Sequence, residues 1–510
     1  MDFINARLRP EPARTLLDLL VRQTQLLLSV CGGRGRCGKC RVRVDAGRVT
    51  PVTEKEQQVL SSSEIESGLR LACSARALTP VTVSVPQWEV MNRMTNDECG
   101  MTNRQSSIVN RNSQVGLAID IGTTNVAVAG YDLERRKLVR QASFLNPQMS
   151  FGMDVVSRIS RGKALIQDDA LAPAIHRLVK SWGVRLPDIA RVIAVGNTTM
   201  CHFLFRRDAS PLGVYPYRSE LPLRTSLTKV VRGLGPRRVT VLPLVGSYLG
   251  ADTVAAVVAS GMARRRELSL LLDLGTNGEI VLGNRDRLLA CSTAAGPALE
   301  GANLSCGVLA RDGAITDCRI RLTAHGYRLT ATAVRGGGRP IGVCGSAVVK
   351  LLSELVARGL IEAGGRITGR KSILLVPAAA SGTGRDILLT QADVRELQLA
   401  KAAIAAGVRI LLREAGADAA DIRRVVLTGL LGGRLDRAAA MRIGLLPKLK
   451  DAVITQQPNL ALAGAELALL EPDRIAEFRA AAGMTREVLL GSHAEFNELF
   501  VENLGLKSWA

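Results

Sequence analysis

Aromatic residues are scarce in this chain, and negative charge is low relative to positive charge. Phe, Trp and Tyr together make up 3% of the 510 residues, and 67 Lys and Arg face 46 Asp and Glu, for a net charge of +21. A protein that stacks single-stranded nucleic acid on aromatic side chains needs more of them. The charge alone leaves an acidic protein, a nucleic acid, an anionic membrane or compositional drift toward Arg as explanations.

A secretory leader and long apolar runs are also missing. The N-terminal segment MDFINARLRP has no apolar run behind basic residues, so we predict no signal peptide. The apolar stretch 242–262 is interrupted by Asp252, and 268–274 is too short to span a bilayer. Because 47% of the residues are hydrophobic and 22% are charged, the composition is typical of a globular protein. We therefore predict a soluble, cytoplasmic protein.

Three regions differ in their sequence pattern. Residues 1–90 contain alternating segments and a Gly/Cys loop, 91–114 are polar and aperiodic like a linker, and 115–510 alternate short apolar strands, Gly turns and Ala-rich helices. The last region divides into two lobes, at approximately 115–265 and 266–510. Within the first region, the pattern predicts strands at Phe3–Leu8, Arg41–Val44 and Val81–Val85, and a helix over Thr15–Gln23.

One motif occurs twice. Asp120-Ile-Gly-Thr-Thr-Asn-Val-Ala-Val-Ala-Gly130 is repeated 153 positions later as Asp273-Leu-Gly-Thr-Asn-Gly-Glu-Ile-Val-Leu-Gly283. Each copy places an Asp at the end of an apolar strand, then a Gly and a Thr, then a second strand. A duplicated hairpin at this separation predicts two similar lobes that face one cleft.

The two hairpins suit phosphate binding. A Gly turn brings backbone N–H groups close to phosphate oxygens, and Thr hydroxyls add donors. Asp120 and Asp273 can hold Mg²⁺ through water, because Mg²⁺ prefers few carboxylates and retains water. The turn residues that we predict to contact phosphates are Gly122, Thr123, Thr124, Gly275, Thr276 and Asn277.

Other turns supply further cleft candidates. An apolar strand opens at Gly429 into a turn that includes Gly432. Adenosine would pack there without side-chain clashes, and an ordinary strand-to-helix turn is the alternative. Asp252 precedes an Ala/Val helix and either positions or deprotonates an attacking water, or simply belongs to the N-cap or first turn. Asn197 is either a cleft residue or ordinary turn chemistry.

Four cysteines form a spaced set, C-x5-C-x2-C-x32-C, made of Cys31, Cys37, Cys40 and Cys73. Three close cysteines and one distant one follow the plant-type 2Fe–2S pattern, with one extra residue in the first gap. Intervening glycines let backbone N–H groups turn toward the sulfides. A structural zinc site also takes four Cys, but usually as two C-x2-C pairs. We predict a 2Fe–2S cluster, and no ligand role for Cys99, Cys201, Cys291, Cys306, Cys318 and Cys344.

Positive charge surrounds this cysteine loop. No acid lies between Asp18 and Asp45, whereas the segment contains Arg22, Arg34, Arg36, Lys39, Arg41 and Arg43. Such a face favours docking of an acidic redox partner. A solvated charged loop is the alternative, and we weigh the two equally.

Together, these residues resemble the reductive activators of corrinoid-dependent enzymes. The resemblance rests on CGGRGRCGKC and GLRLAC, then on AIDIGTTNVAV, VGNTTMCHFL, LVGSYLGADTVAAV, LLDLGTNGEIVL, CSTAAGPALEGANL, IGVCGSAVV and LTGLLGGRLD with IGLLP. It implies an α+β ferredoxin-like (β-grasp) domain, a linker, and a two-lobed α/β ATPase domain of the actin, sugar-kinase and chaperone superfamily. Two features depart from the family pattern: the Gly-Leu-Leu-Gly-Gly turn lacks an aromatic residue, and segment 457–464 is a loose version.

The resemblance implies an ATP-hydrolysing iron–sulfur reductase. It would pass one electron from the cluster to Co(II), regenerating Co(I) in a corrinoid protein or cobalamin-dependent methyltransferase. Asp120, Asp273 and Asp252 would serve the Mg²⁺ and the hydrolysis of ATP. The implied partners include an upstream low-potential electron donor and exclude nucleic acid and membrane, and a homodimer is left open.

Other functions remain alternatives. A small-molecule kinase with a fused ferredoxin would explain Gly-Ala-Asp-Thr, where sugar kinases keep their base, but a kinase has no use for a redox cluster. A regulatory protein that senses redox state and nucleotide would suit the charge, yet no nucleic-acid motif is apparent. An activator of a dehydratase or benzoyl reductase would share its cluster between two subunits, and the full ferredoxin region argues against this.

Overall fold

The structure is a computed structural model that describes residues 3–24, 35, 38, 40–86, 114–152, 154–162, 166, 170–231, 233–234, 238–301, 304–323 and 326–509. The chain divides into two compact units, Met1–Arg93 with Leu145–Ala170, and Met94–Phe144 with Leu171–Ala510. Most of the predicted linker lies outside the described residues, as do Cys31 and Cys37. Among the helices that the structure describes, none combines the length and apolar character that a membrane span requires.

The first unit contains a four-stranded antiparallel sheet. It is formed by Phe3–Leu8 (β1), Arg41–Ala46 (β2), Leu69–Leu71 (β3) and Val81–Pro86 (β4), in the order β1-β4-β2-β3. Its helices are Leu16–Leu19 (α1), Glu54–Val59 (α2), Ser62–Glu66 (α3) and Val155–Ile159 (α4). The three predicted strands are confirmed, and the predicted N-terminal helix is α1 followed by one wider turn, Leu20–Thr24. The unit therefore has the predicted α+β character.

Local sequence explains where the first three helices begin. Each starts with a capping box. The side chain of the N-cap Thr or Ser accepts a hydrogen bond from the backbone N–H three residues later, and the acidic side chain at that later position accepts one from the backbone N–H of the N-cap residue. The pairs are Thr15 with Asp18, Thr53 with Glu56, and Ser61 with Glu64.

A buried ion pair joins α2 to β3. The Arg70 guanidinium donates to both carboxylate oxygens of Glu56 at 2.9 Å, and Leu71 N donates to the same carboxylate at 3.0 Å. Glu56 is fully buried, yet these donors hold its pKa below the usual value against the effect of burial. Because Cys73 follows β3 by two residues, the pair positions the strand that presents this cysteine.

Two six-stranded sheets dominate the second unit. The first is formed by Val115–Ile121 (β5), Asn125–Asp132 (β6), Lys137–Leu145 (β7), Ile189–Gly196 (β8), Leu227–Val230 (β9) and Arg238–Val241 (β10), in the order β7-β6-β5-β8-β10-β9. Its central strand β5 pairs antiparallel with β6 and parallel with β8. Every residue of β5 is buried except Asp120, which faces the end of the sheet.

The second sheet repeats this plan. It contains Ser269–Leu274 (β11), Gly278–Gly283 (β12), Leu288–Thr293 (β13), Arg424–Thr428 (β19), Val453–Gln456 (β20) and Thr485–Glu487 (β21), in the order β20-β19-β11-β12-β13-β21. Again the central strand, β11, pairs antiparallel with the next strand and parallel with a later one, and only its Asp273 is not fully buried. The sequence repeat is thus a repeat of topology, which confirms the predicted two-lobed α/β architecture.

The remaining elements complete the second lobe and cover both sheets. Two small sheets contain Ala314–Thr323 (β14), Gly326–Val334 (β15) and Gly342–Val343 (β16), and Ser372–Val376 (β17) and Ile387–Thr390 (β18). The helices are Leu171–Ser181 (α5), Thr198–Leu204 (α6), Ala251–Ser260 (α7), Gly345–Ala357 (α8), Gln391–Ala415 (α9), Gly429–Gly432 (α10), Arg437–Arg442 (α11), Leu460–Leu470 (α12), Ile475–Met484 (α13) and Phe496–Glu502 (α14).

Helix α12 crosses between the lobes. It comes late in the chain, after the strands of the second sheet, but it packs against β5, β8 and α7 of the first lobe. Close packing is possible because Gly464 faces the backbone of Ala255, where a Cβ atom would lie 2.4 Å from the carbonyl oxygen. The return of the chain places Asn459, at the start of α12, between the two sheets.

Candidate functional site

Two short turns face each other across a cleft in the second unit. Residues 122–124 join β5 to β6, and residues 275–277 join β11 to β12. The cavity between them has a volume of about 120 Å³ and is lined by both turns and by Asp120, Asn125, Ala127, Ser143, Asn197, Asp252, Asp273, Glu279, Glu300, Gly429, Pro458, Asn459 and Ala461. The structure thus brings together all the predicted nucleotide-site residues except Gly432.

The two turns touch through their hydroxyl groups. Thr124 Oγ1 lies 2.6 Å from Thr276 Oγ1, and both hydroxyls reach Glu300 Oε2, at 3.4 and 3.2 Å. Glu300 ends the single-turn helix Pro297–Glu300 and is buried. The cavity of about 120 Å³ is smaller than most ligand pockets, which usually measure about 300–1,000 Å³.

Carboxylic acids crowd the cleft. Burial raises the pKa of Asp120 to about 6 and that of Glu300 to about 7. Burial and the neighbouring Asp120 raise the pKa of Asp252 to about 7, and burial with Asp120 and Asp252 raises that of Asp273 to about 8. Burial, Asp252 and Asp273 push the pKa of Glu279 well above its usual value. Each shift shows that a further negative charge is unfavourable here, so a divalent cation would be stabilised.

The carboxylates do not form a ready-made metal cage. Within the described ranges, no three His, Cys, Asp or Glu side chains converge closely enough to ligate one metal ion. This arrangement fits an ion such as Mg²⁺, which keeps several waters and takes only one or two carboxylates together with phosphate oxygens.

Sequence reasoning missed Glu279 and Glu300. Glu279 interrupts an apolar strand at the position where the first copy of the repeat has Val126, and its Oε1 accepts from the Ser292 hydroxyl at 3.3 Å. Glu300 is the only acid in CSTAAGPALEGANL. A charged residue inside an otherwise apolar or small-residue motif was the available signal in both cases.

Two asparagines support the phosphate hairpins. Asn197 Nδ2 donates to Thr123 Oγ1 at 3.0 Å, while its Oδ1 caps α6 by accepting from Met200 N. Asn459 Nδ2 donates to Asp120 Oδ2 at 2.7 Å, while its Oδ1 caps α12. Asn197 therefore satisfies both interpretations given above, as a cap and as a cleft residue. Sequence reasoning gave no role to Asn459, because it joins Asp120 only through the return of α12.

Asp252 lies in the first turn of a helix, as one interpretation predicts, and it also faces the cleft. It lies in the first turn of α7, after the N-cap Gly250, and its Oδ1 accepts from Thr253 N at 2.7 Å. The same carboxyl lines the cleft. Gly250 allows the start of α7 to lie close to the end of β8, because a Cβ atom at position 250 would lie 2.2 Å from Gly196 O. Asp252 is thus a helix residue held at the cleft surface.

The predicted adenosine-side turn is a tight start to α10. Gly429 has φ of +84°, and a Cβ atom at this position would lie 2.3 Å from the Asp273 carboxylate. A larger residue would therefore collide with the second hairpin. Gly432 ends α10 and packs toward β11, outside the cleft lining.

The cysteine site is described in part. Cys40 and Cys73 are buried, with their Sγ atoms 3.3 Å apart, and Ala72 N donates to Cys40 O at 2.8 Å. Gly35 and Gly38, in the same loop, have φ of +75° and +66°. Two converging thiols beside a loop of left-handed glycines fit the ligand set of a 2Fe–2S cluster. Cys31 and Cys37 lie outside the described residues.

Two of the six basic residues of this loop have described side chains, and both form ion pairs within the unit. Arg41 lies 3.6 Å from the Glu64 carboxylate, and Arg43 lies 2.8 Å from that of Asp45. Their charge is therefore partly neutralised by the unit itself.

The other cysteines behave as core residues where the structure describes them. Cys201, Cys291, Cys306, Cys318 and Cys344 are buried, and Cys99 lies outside the described residues. Burial raises the pKa of Cys201 and Cys318, which keeps these thiols protonated and unreactive.

Comparison with known families gives three matches along the chain. Residues 5–78 match the 2Fe-2S iron-sulfur cluster binding domain, residues 115–265 the RACo middle region, and residues 267–509 the C-terminal domain of RACo, the ASKHA domain. The matches support a 2Fe–2S cluster and nucleotide binding in the corresponding units.

Full-length relatives agree with these matches. The chain is 30% identical to the corrinoid activation enzyme RamQ of Eubacterium limosum, with 93% of each chain covered. It is 25% identical to the [Co(II) methylated amine-specific corrinoid protein] reductase of Methanosarcina barkeri, over 76% of each. A solved structure, the reductive activator for corrinoid, iron-sulfur protein, superposes with a TM-score of 0.68 at 27% identity, covering 97% of this chain and 95% of that one. With its two hairpins, its paired buried cysteines and these relatives, the chain belongs to the family of corrinoid reductive activators.

Proposed function

We propose that this chain is an ATP-hydrolysing reductase that delivers one electron to the Co(II) form of a corrinoid protein or cobalamin-dependent methyltransferase and regenerates Co(I). The observation that carries the proposal is the presence, in one chain, of a buried thiol pair suited to a 2Fe–2S cluster and a duplicated phosphate-hairpin cleft. The named activities of its full-length relatives support it.

Energetics explain why such a reductase needs ATP. A ferredoxin-type cluster supplies a one-electron carrier at about −400 mV, and reduction of Co(II) to Co(I) from this potential is uphill. For one electron, 59 mV corresponds to a factor of ten, or about 1.4 kcal/mol. A gap of one to two hundred millivolts therefore costs about 2–5 kcal/mol, which hydrolysis of one ATP covers.

Within the cleft, we assign the hairpin residues to the phosphates. The N–H groups and hydroxyls of residues 122–124 and 275–277 would donate to phosphate oxygens, in place of the contact between Thr124 and Thr276. Asp120 and Asp273 would hold Mg²⁺ through water. Asp252 would orient or deprotonate the attacking water, since its pKa of about 7 suits a base near neutral pH. Gly429 would border the adenosine, with Gly432 supporting its turn.

We propose the functional modules as 1–90 for the cluster, 91–114 for the linker, and 115–510 for the ATPase, with lobes at approximately 115–265 and 266–510. Cys31, Cys37, Cys40 and Cys73 would bind the cluster. An upstream low-potential donor would reload it. A cysteine-bound iron–sulfur cluster favours a reducing compartment, so we propose the cytoplasm.

The direct test is spectroscopic. The purified chain is mixed with MgATP, a low-potential reductant and, in turn, each Co(II) corrinoid protein of the same organism, and the Co(I) absorbance is followed. We expect Co(I) with at least one partner, dependent on ATP. Absence of an ATP-dependent Co(I) signal with every candidate would refute the proposal. Phosphate release without a phosphorylated metabolite would separate it from the kinase alternative.

A further inference from the structure

A loop in the first lobe presents apolar side chains to solvent. It spans residues 205–226, between α6 and β9, and we call it the tyrosine loop. Tyr215 is 74% exposed and Val214 is 68% exposed, and Leu223 is also exposed. In a chain with only 3% aromatic residues, an exposed tyrosine at a loop tip is unusual. Aromatic side chains are favoured at the centres of protein interfaces.

The tyrosine loop is held firmly despite its exposure. The rings of Tyr215 and Tyr217 meet edge to face with centroids 5.9 Å apart, and Tyr217 packs on Tyr248 at 5.5 Å. The Tyr248 hydroxyl donates to Leu212 O at 2.8 Å, and Arg224 N donates to Leu244 O at 2.7 Å. A surface that is already ordered loses little conformational entropy when a partner binds.

Its backbone is strained in a manner that favours a functional role. Among the described residues, five that are not glycine have positive φ, and three of these are Arg206, Tyr217 and Arg224 of the tyrosine loop. Residues other than glycine adopt this conformation only where the surrounding structure enforces it. These residues concentrate at binding and catalytic sites more than in ordinary connections.

The charge of the loop selects an acidic partner. Arg206, Arg207, Arg218 and Arg224 are all exposed, against two acids, Asp208 and Glu220. Asp208 is engaged locally, since its Oδ1 accepts from the backbone and hydroxyl of Ser210. An apolar tip surrounded by arginines complements a protein surface with apolar residues inside an acidic rim.

Helix α6 connects the tyrosine loop to the phosphate hairpin. At its start, Asn197 contacts Thr123 of the first turn, and within it His202 Nε2 accepts from Glu220 N at 3.1 Å. His202 Nδ1 lies 2.8 Å from Thr198 O, which fixes the ring. Every residue of α6 is buried. The buried helix α6 therefore contacts the first turn at one end and the tyrosine loop along its length.

We propose that the tyrosine loop is the docking surface for the corrinoid protein, which would meet it with apolar residues inside an acidic rim. The inference rests on the proposed function and adds the location of the partner. Tyr215 and Val214 form the apolar centre, and Arg218 belongs to the charged rim.

The test compares surface variants in the full chain. Its probe is the corrinoid protein that yields ATP-dependent Co(I) with the unmodified chain. Tyr215→Ala should weaken binding of the Co(II) form at least roughly tenfold, and Arg218→Glu should slow association roughly tenfold and reduce its salt dependence. Basal ATP hydrolysis should remain within about twofold, because neither side chain lines the cleft. Val453→Ala and Arg328→Glu change exposed residues on other sheets and serve as matched controls that should bind normally.

The outcomes separate this inference from the function on which it rests. If the unmodified chain produces Co(I) but Tyr215→Ala and Arg218→Glu bind and react like it, the docking surface is wrong and the function stands. If both controls weaken binding as strongly as the loop variants, the effect is not specific and the inference is also overturned. If no corrinoid protein is reduced by the unmodified chain, the proposed function fails, and the inference fails with it.

Discussion

The hydroxyls of Thr124 and Thr276 lie 2.6 Å apart although the residues are separated by 152 positions in the chain. In the duplicated hairpin, Thr276 corresponds to Thr123 and Thr124 corresponds to Asn277. The two copies of the hairpin turn therefore contact each other through neighbouring positions of the motif. Glu300 accepts from both hydroxyls and completes the contact. In the proposed function, ATP phosphates would take over these donors, so this contact would be replaced when ATP binds.

Thr124→Val tests that exchange. The variant keeps the shape of the side chain but removes a donor to a charged phosphate, which is worth about 1.5–3 kcal/mol. We expect kcat/KM for ATP hydrolysis to fall roughly 10- to 100-fold, measured by phosphate release. Thr124→Ser retains the hydroxyl and should stay near the unmodified value. Equal activity in all three proteins would show that Thr124 does not contact phosphate.

Asp252→Asn tests the proposed role of this carboxyl in hydrolysis. Loss of a general base typically costs 10²–10⁴-fold, so we expect kcat to fall by about that factor with little change in ATP affinity. In the unmodified chain, kcat should rise with pH through about 7, as Asp252 loses its proton. That rise should vanish in the variant. If the variant and the unmodified chain show the same pH profile, Asp252 does not act as the base and has only a structural role in the first turn of α7.

The crowded carboxylates predict how stability depends on pH. Folding raises the pKa values of Asp120, Asp252, Glu300 and Asp273 to about 6, 7, 7 and 8. The folded state therefore binds more protons than the unfolded state above the ordinary carboxyl range, and stability is lost as pH rises through these values. We expect the Tm of the nucleotide-free ATPase unit to fall from pH 5 to pH 8.

Mg²⁺ supplies the control for this titration. Because the ion neutralises the cleft only when the carboxyls are ionised, it should raise Tm more at pH 8 than at pH 5. Asp273→Asn should make the pH dependence less steep. A Tm that rises from pH 5 to pH 8 without Mg²⁺ would contradict the prediction.

Cys73→Ser separates the two modules. Loss of one thiolate should remove the visible absorbance of the cluster, since a Cys₄ ligand set becomes incomplete. ATP binding should persist, because the cleft belongs to the other unit. Cys344→Ser is the matched control: its Sγ already lies 3.2 Å from the Ser346 hydroxyl, and the cluster should remain. Loss of ATP binding in Cys73→Ser would show that the modules are not independent.

Arg70→Met tests the buried ion pair beside the cluster. Removing one member leaves the buried Glu56 carboxylate without its guanidinium, which costs about 3–5 kcal/mol. We expect urea unfolding of the first unit, followed through cluster absorbance, to shift to lower concentration accordingly. Arg43→Met, which breaks the more exposed pair with Asp45, should cost less than about 1 kcal/mol. Similar effects of the two variants would refute the special role of the buried pair.

Local patterns were sufficient to predict much of this protein. The spacing of Cys31, Cys37, Cys40 and Cys73 indicated an iron–sulfur site, because three close cysteines and one distant one form a pattern that is visible without the fold. Likewise, the repeated Asp-x-Gly-Thr motif indicated two lobes and one cleft. An apolar strand followed by an Asp and a Gly turn is a pattern of consecutive residues, so the sequence alone is enough to identify it.

Only the tertiary structure decided which distant residues complete the site. Asn459 reaches Asp120 because α12 returns to the first lobe, and Glu300 reaches both threonines although it lies 176 and 24 positions from them in the chain. Neither contact has a sequence periodicity that reveals it. The raised pKa of Asp273 has the same origin, since it depends on burial and on the charges of Asp120 and Asp252, which only folding brings together.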